Sequence, residues 1–302
     1  MTHRRKRIAA AEWVLAALAF AAVGAAHAQS VVTLTHVHGL AYSADGKQLT
    51  VPSHHGLAVY RDGKWSMAPG PQHDYMGFAA ARTRLYSSGH PAPGSKLINP
   101  FGLIRSGDGG KNWEKLSLEG ESDFHLLAAS WNTNAVYVWN AEKNSRMPSP
   151  GLHMTLNEGF MWQRAAAKGL AGKPRALAVH PGDAKIVAAA TSSGIYVSQN
   201  SGDSFEPLAS GAAGLAVFFD LNGNHLWHST FDANPRLVRF ELKGGAAAAV
   251  VLPPLRDDAV AYMAQNPANP KEYAIATFER SVFVSKDTGK TWKQIADRGS
   301  GK

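Results

Sequence analysis

The 302-residue chain contains no cysteine. It therefore forms no disulfide, offers no thiol nucleophile and has no cysteine for lipid attachment. Any metal site must use histidine, methionine, carboxylates or backbone oxygens. Beyond its first 28 residues nothing approaches the roughly 18 apolar residues that span a bilayer. The basic residues are scattered rather than gathered in a stripe with interleaved aromatics, which argues against a nucleic-acid partner. No serine-centred elbow, phosphate loop or dinucleotide fingerprint is present. Outside the N-terminus the apolar positions never follow a helical period.

The one long apolar run opens the chain. "THRRKR" is a charged start, "IAAAEWVLAALAFAAVGAA" is apolar, and Ala26-His27-Ala28 has the small-x-small form of a signal-peptidase site. Residues 1–28 are expected to be a signal peptide, with the Sec and twin-arginine routes both open. Residues 29–302 are expected to form one soluble domain in the periplasm or outside the cell. Processing removes Arg4, Arg5, Lys6, Arg7 and Glu12, so Lys plus Arg falls from 31 to 27 and the acids from 23 to 22. The net charge drops from +8 to about +5.

A repeat dominates the rest. "SGDGGKNW" (106–113), "TLNEGFMW" (155–162), "SQNSGDSF" (198–205) and "SKDTGKTW" (285–292) share the pattern Ser/Thr-x-Asp/Asn-x-Gly-x-x-aromatic, and "YRDGKW" (60–65) is a shortened form. The closing aromatics Trp65, Trp113, Trp162, Phe205 and Trp292 are 48, 49, 43 and 87 residues apart, the last gap being two periods with one box lost near "LKGGAAAAV". Units of this length match four-stranded propeller blades. Each opens on an apolar strand ("HGLAY", "MGFAA", "HLLAA", "RALAV", "AGLAV", "VAYMA") and continues through β-rich runs between turn residues. The expectation is an all-β propeller of six four-stranded blades. Seven would follow if "VVTLT" (31–35) belonged to a further unit, but that segment is better placed to close the ring against the last blade.

These boxes resemble those of the Asp-box (BNR-repeat) β-propellers, which include sialidases and sortilin-type domains. The "HVHGL…HHGL" opening is similar to a group of secreted bacterial proteins labelled glycosylhydrolases by repeat homology. The resemblance implies a fold more than an activity. It makes Asp108, Asn157, Asn200 and Asp287 turn-formers and packs Trp113, Trp162, Phe205 and Trp292 between blades. The Arg-Ile-Pro signature of sialidases is absent, which disfavours that chemistry.

The histidines are unevenly spread. Of the eleven beyond residue 28, seven lie between positions 36 and 125. His36 and His38 lead into the first strand of blade one, and His54 and His55 follow its second. His73, Asp74 and Met76 lead into blade two, His90 follows its second strand, and Asp123 and His125 lead into blade three. In a propeller these positions open on one face. Met76, His125, Arg175, Ala213 and Ala261 align with His38, and residues two apart share a side of a strand. The expected site is therefore a transition-metal centre, copper or zinc, drawn from His36, His38, His54, His55, His73, His90 and His125. Asp74, Met76 and Asp123 would support it. A glycosidase-type hydrolase using the two carboxylates, or a scaffold docking another exported protein, are the alternatives. The expected state is a monomer binding a metal ion or small ligand.

Overall fold

The computed structural model describes residues 32–302; the expected signal peptide, residues 1–28, lies outside them. The described residues contain no helix, and so no helix long and apolar enough to cross a membrane. They form six antiparallel sheets arranged in a ring, a six-bladed β-propeller. Blade one holds β1 (Ala41–Tyr42), β2 (Gln48–Ser53), β3 (Gly56–Arg61) and β4 (Lys64–Met67). Blade two holds β5 (Asp74–Ala81), β6 (Arg84–His90), β7 (Leu103–Ser106) and β8 (Glu114–Ser117). Blade three holds β9 (Leu127–Ala129), β10 (Val136–Asn140), β11 (Gly151–Thr155) and β12 (Gln163–Arg164). Blade four holds β13 (Pro174–Val179), β14 (Val187–Thr191), β15 (Gly194–Ser198) and β16 (Glu206–Ser210). Blade five holds β17 (Ala213–Phe219), β18 (His225–Phe231), β19 (Pro235–Glu241) and β20 (Ala247–Val250). Blade six has five strands: β21 (Val260–Gln265), β22 (Tyr273–Thr277), β23 (Val282–Ser285), β24 (Lys293–Asp297) and β25 (Ser300–Gly301).

Burial follows position within the blade. The second strands β14 and β22, "VAAAT" and "YAIAT", are buried at every residue because neighbouring blades cover both faces. The fourth strands lie outermost, and β20 is almost wholly exposed. The small residues of the first strands, such as Ala79, Ala128 and Ala178, line the central channel, where six strands converge.

The four boxes fold into one turn. In each, the Ser or Thr hydroxyl donates to the Asp or Asn side chain two residues on: Ser106 to Asp108, Thr155 to Asn157, Ser198 to Asn200 and Ser285 to Asp287, at 2.8 to 3.0 Å. That side-chain oxygen accepts the backbone N–H four residues further along, at 2.9 Å in all four turns. The fourth and fifth box positions both take positive φ, so the fifth is glycine, while Glu158, Ser201 and Thr288 occupy the fourth. The bond network holds those non-glycine residues in place. The closing aromatics pack at the joint with the preceding blade: Trp113 between Leu57 of blade one and Tyr75 of its own blade, Trp162 against Phe124 in the segment entering blade three, Phe205 beside Leu152 of blade three, and Trp292 in the cluster of Trp227 of blade five and Tyr273 of its own blade. Blade five has no box, which accounts for the doubled gap.

The ring closes where the first described residues meet the end of blade six. Thr33 pairs with Ser300, and Leu34 N–H donates to Gly299 carbonyl at 2.7 Å. Residues 33–34 thus add to blade six rather than starting a seventh unit. Side chains brace the other joints. His180 Nε2 lies 3.0 Å from the Gly223 carbonyl in the first turn of blade five, and Asn266 Nδ2 donates to the Gly46 carbonyl of blade one at 2.9 Å. Glu158, inside the third blade's box, pairs with both Arg84 and Arg105 of blade two and accepts from the Tyr86 hydroxyl at 2.8 Å.

Candidate functional site

The loops on one face bring most of the sequence-selected polar residues together. His36 and His38 approach along the segment before β1, tied down by His38 N–H donating to the Pro52 carbonyl. His54 sits in the β2–β3 turn, closed by Gly56 at φ 97°. Asp74 starts β5 and pairs in register with His90, the last residue of β6. Asp123 and His125 lie just before β9.

These residues form two groups. In the first, ring nitrogens of His36, His38 and His54 all lie within 4.8 Å of one another. The three ring centroids are 4.4 to 5.7 Å apart. His54 Nε2 is 2.5 Å from His36 Nδ1, while His54 Nδ1 is 2.8 Å from Asp74 Oδ2. With the Asp74 carboxylate accepting the Nδ1 proton, His54 Nε2 is left with its lone pair facing the other two rings. The same arrangement orients histidine ligands in metalloproteins. His38 Nε2 and Asp74 Oδ1 are buried and without hydrogen-bond partners. Burial, reinforced by the neighbouring His54, pushes the His38 imidazole down to about 4, so it is held in the neutral, ligating form. A tetrahedral ion at 2.0–2.1 Å from each nitrogen needs nitrogens about 3.4 Å apart.

In the second group Asp123 sits between two histidines, 2.6 Å from His125 Nε2 and 3.2 Å from His90 Nε2. His90 Nδ1 is 2.7 Å from Asn99 Oδ1. The bond to Asp123 pushes the His125 imidazole up. This is a charge-paired cluster, with Asp123 Oδ1 left buried and unpartnered. The two groups are near enough to interact electrostatically, since His125 lowers His38 and Asp74 raises His125.

Two of the seven histidines stand apart. His73 is buried, its Nδ1 accepts the Ala92 N–H at 2.9 Å, and its ring lies 5.6 Å from that of Phe101. It braces the blade-two loop. His55 is exposed, and its side chain has no hydrogen-bond partner among the described residues. Met76 occupies a bulge of β5, where the register shifts between Tyr75 and Gly77, and does not line the channel. The equivalent bulges fall at Arg175, Leu215 and Ala261. Leu215, not Ala213, is therefore the blade-five counterpart: matched by letter to "RALAV", "AGLAV" falls two residues out of register with the bulge.

Below the histidines the central channel encloses roughly 180 Å³, with His38, His125, Arg175 and Ala261 at its rim and Leu40, Phe78 and Tyr262 on its walls. Sequence reasoning missed Asn99, which carries no motif and reaches His90 from a separate loop.

His228 lies elsewhere, inside blade five, with Nδ1 buried and unpartnered. Burial pushes it from the ordinary 6.5 down to about 4. Its folded value is below its unfolded one, so its contribution is full above pH 6.5 and is lost as pH falls toward 4. That loss amounts to about 3 kcal/mol. Urea midpoints measured from pH 7 to 4 should fall less steeply in His228→Leu than in the parent. Parallel curves would show that other groups set the acid sensitivity.

No family model matches the chain, and no curated protein matches it. Solved structures do. A GH74 enzyme from Niastella koreensis is 14% identical over 88% of this chain and 46% of its own, with a TM-score of 0.59. An ancestral GH74 enzyme is 12% identical over 88% of this chain and 39% of its own, at 0.55. This chain thus spans less than half the length of either enzyme. YCF48 bound to D1 peptide is 18% identical over 87% of this chain and 84% of its own, at 0.51. Identities this low speak to the propeller fold alone.

Proposed function

We propose that this chain is an exported propeller of the Asp-box kind that binds one transition-metal ion, copper or zinc, at the channel mouth. His36, His38 and His54 are the ligands, and Asp74 is the residue that orients His54. One observation carries this reading: three imidazoles converge within 4.8 Å, and the far nitrogen of one is held by a carboxylate. The set is open, since three protein ligands leave a coordination position for water or a further ligand. An ion there would act as a Lewis acid or lower the pKa of a bound water. The chain's own groups would position it: Asp74 fixes the His54 tautomer, and the Asp123–His125 pair supplies a proton donor nearby. His90 stands behind that pair.

Titrating purified, metal-stripped protein with zinc and with copper tests this. One equivalent bound tighter than about micromolar is expected, corresponding to about 8 kcal/mol. Neither metal binding at that level overturns the reading.

Docking of another protein is the second reading. Phe278, in the β22–β23 turn on the same face, is 57% exposed, and YCF48 is a propeller seen with a peptide. The hydrolase reading is weaker, because Asp74 and Asp123 are each already engaged by a histidine.

A further inference from the structure

On the opposite face from the histidines, blades one and six leave a cleft of roughly 660 Å³ at the seam of the ring. Its walls come from the β1–β2 and β3–β4 turns on one side and from β23 and β24 on the other. We propose that this cleft binds an acidic oligosaccharide, one carrying isolated carboxylates among many hydroxyls.

Two features point to that chemistry. First, the cleft is aromatic: Tyr42, Tyr60 and Trp292 line it. Rigid amphipathic rings give a large contact area to the C–H faces of sugars at small entropic cost. Second, its rim is basic. Lys47, Lys286 and Lys293 are exposed, line the cleft and have no ion-pair partner among the described residues. Arg61 meets only Asp62, at 3.6 Å, and both are largely in solvent.

The acids select among anions. Glu272 and Asp62 also line the cleft and oppose a densely charged polyphosphate. They suit a polyol whose hydroxyls donate to carboxylates while its own sparse carboxylates pair with lysines.

Titrating the full protein calorimetrically with tetragalacturonate, and with neutral galactotetraose beside it, tests the proposal. The uronate is expected to bind at least about tenfold tighter than the neutral sugar, a difference of 1.4 kcal/mol. A Lys286→Ala/Lys293→Ala variant, altered only at exposed positions, should lose about tenfold. Circular dichroism checks that the variant folds. Equal binding of both sugars, unchanged affinity in the variant, or displacement of the uronate by inorganic sulfate at equal concentration would each overturn it.

Discussion

Asp220→Ala is expected to destabilise the propeller by about 3–5 kcal/mol, the range for removing one partner of a buried charged pair. Asp220 is 1% exposed at the junction of blades five and six. Its Oδ1 accepts from Trp227 Nε1 at 2.6 Å and from the Tyr273 hydroxyl at 2.8 Å. Its Oδ2 lies 3.2 Å from Arg239 Nη2 and 3.2 Å from His225 Nδ1. Trp227 and Tyr273 are themselves buried, and Arg239 lies over the indole at 5.8 Å. Truncation would strip a donor pair of its acceptor and leave a guanidinium facing apolar surface. The carboxylate also helps push the Tyr273 ionisation up, so that hydroxyl stays a donor. Asp220→Asn should cost less, because an amide oxygen still accepts from Trp227 and Tyr273 while the charge opposite Arg239 is gone. Urea unfolding followed by tryptophan fluorescence measures both. An alanine variant within about 1 kcal/mol of the parent would mean that the neighbours find other partners.

That network left no trace in the sequence, and the reason separates what was legible from what was not. The box turns were legible because they are local: every bond that makes them joins residues two to four apart, so the spacing is the structure. Six units followed from those turns, including the blade without a box, since the missing aromatic left a gap of double length. Asp220, Arg239 and Tyr273 come from two blades, Asp220 from the turn after β17. Nothing in their spacing marks them. The bulges were hidden for a related reason. An inserted residue changes register without changing composition, and the letter match of "AGLAV" to "RALAV" put Ala213 where the bulge places Leu215.

The histidine face was legible as a face and illegible as a site. Chain position placed His36, His38, His54 and His90 on the same set of loops. Which of them meet depends on where each ring turns, and that is decided by neighbours from other blades. His73 turns inward because Phe101 and Tyr75 offer apolar cover and Ala92 an N–H to accept. His54, one turn away, finds Asp74 across the blade boundary and turns the other way.

This division makes a graded series the most demanding test of the metal centre. Single alanine variants of His38 and His54 are expected to lose more than the 10- to 100-fold typical of removing an orienting partner. Asp74→Asn is expected to fall within about that 10- to 100-fold range, because the amide can still accept the His54 Nδ1 proton but no longer raises the ring's basicity with a negative charge. His55→Ala should leave affinity unchanged, since the side chain is exposed and outside the triad. His73→Ala should lower stability while sparing affinity, because its bonds go to the loop. Zinc calorimetry, with circular dichroism on each variant, orders the series. The ranking carries more information than any single loss. A general collapse of the face would weaken His54→Ala and His73→Ala alike, whereas a His₃ centre backed by Asp74 separates them. If His55→Ala cost as much as His38→Ala, the ion would sit outside the triad. If Asp74→Asn were silent while His54→Ala was severe, His54 would bind through a nitrogen that Asp74 does not control.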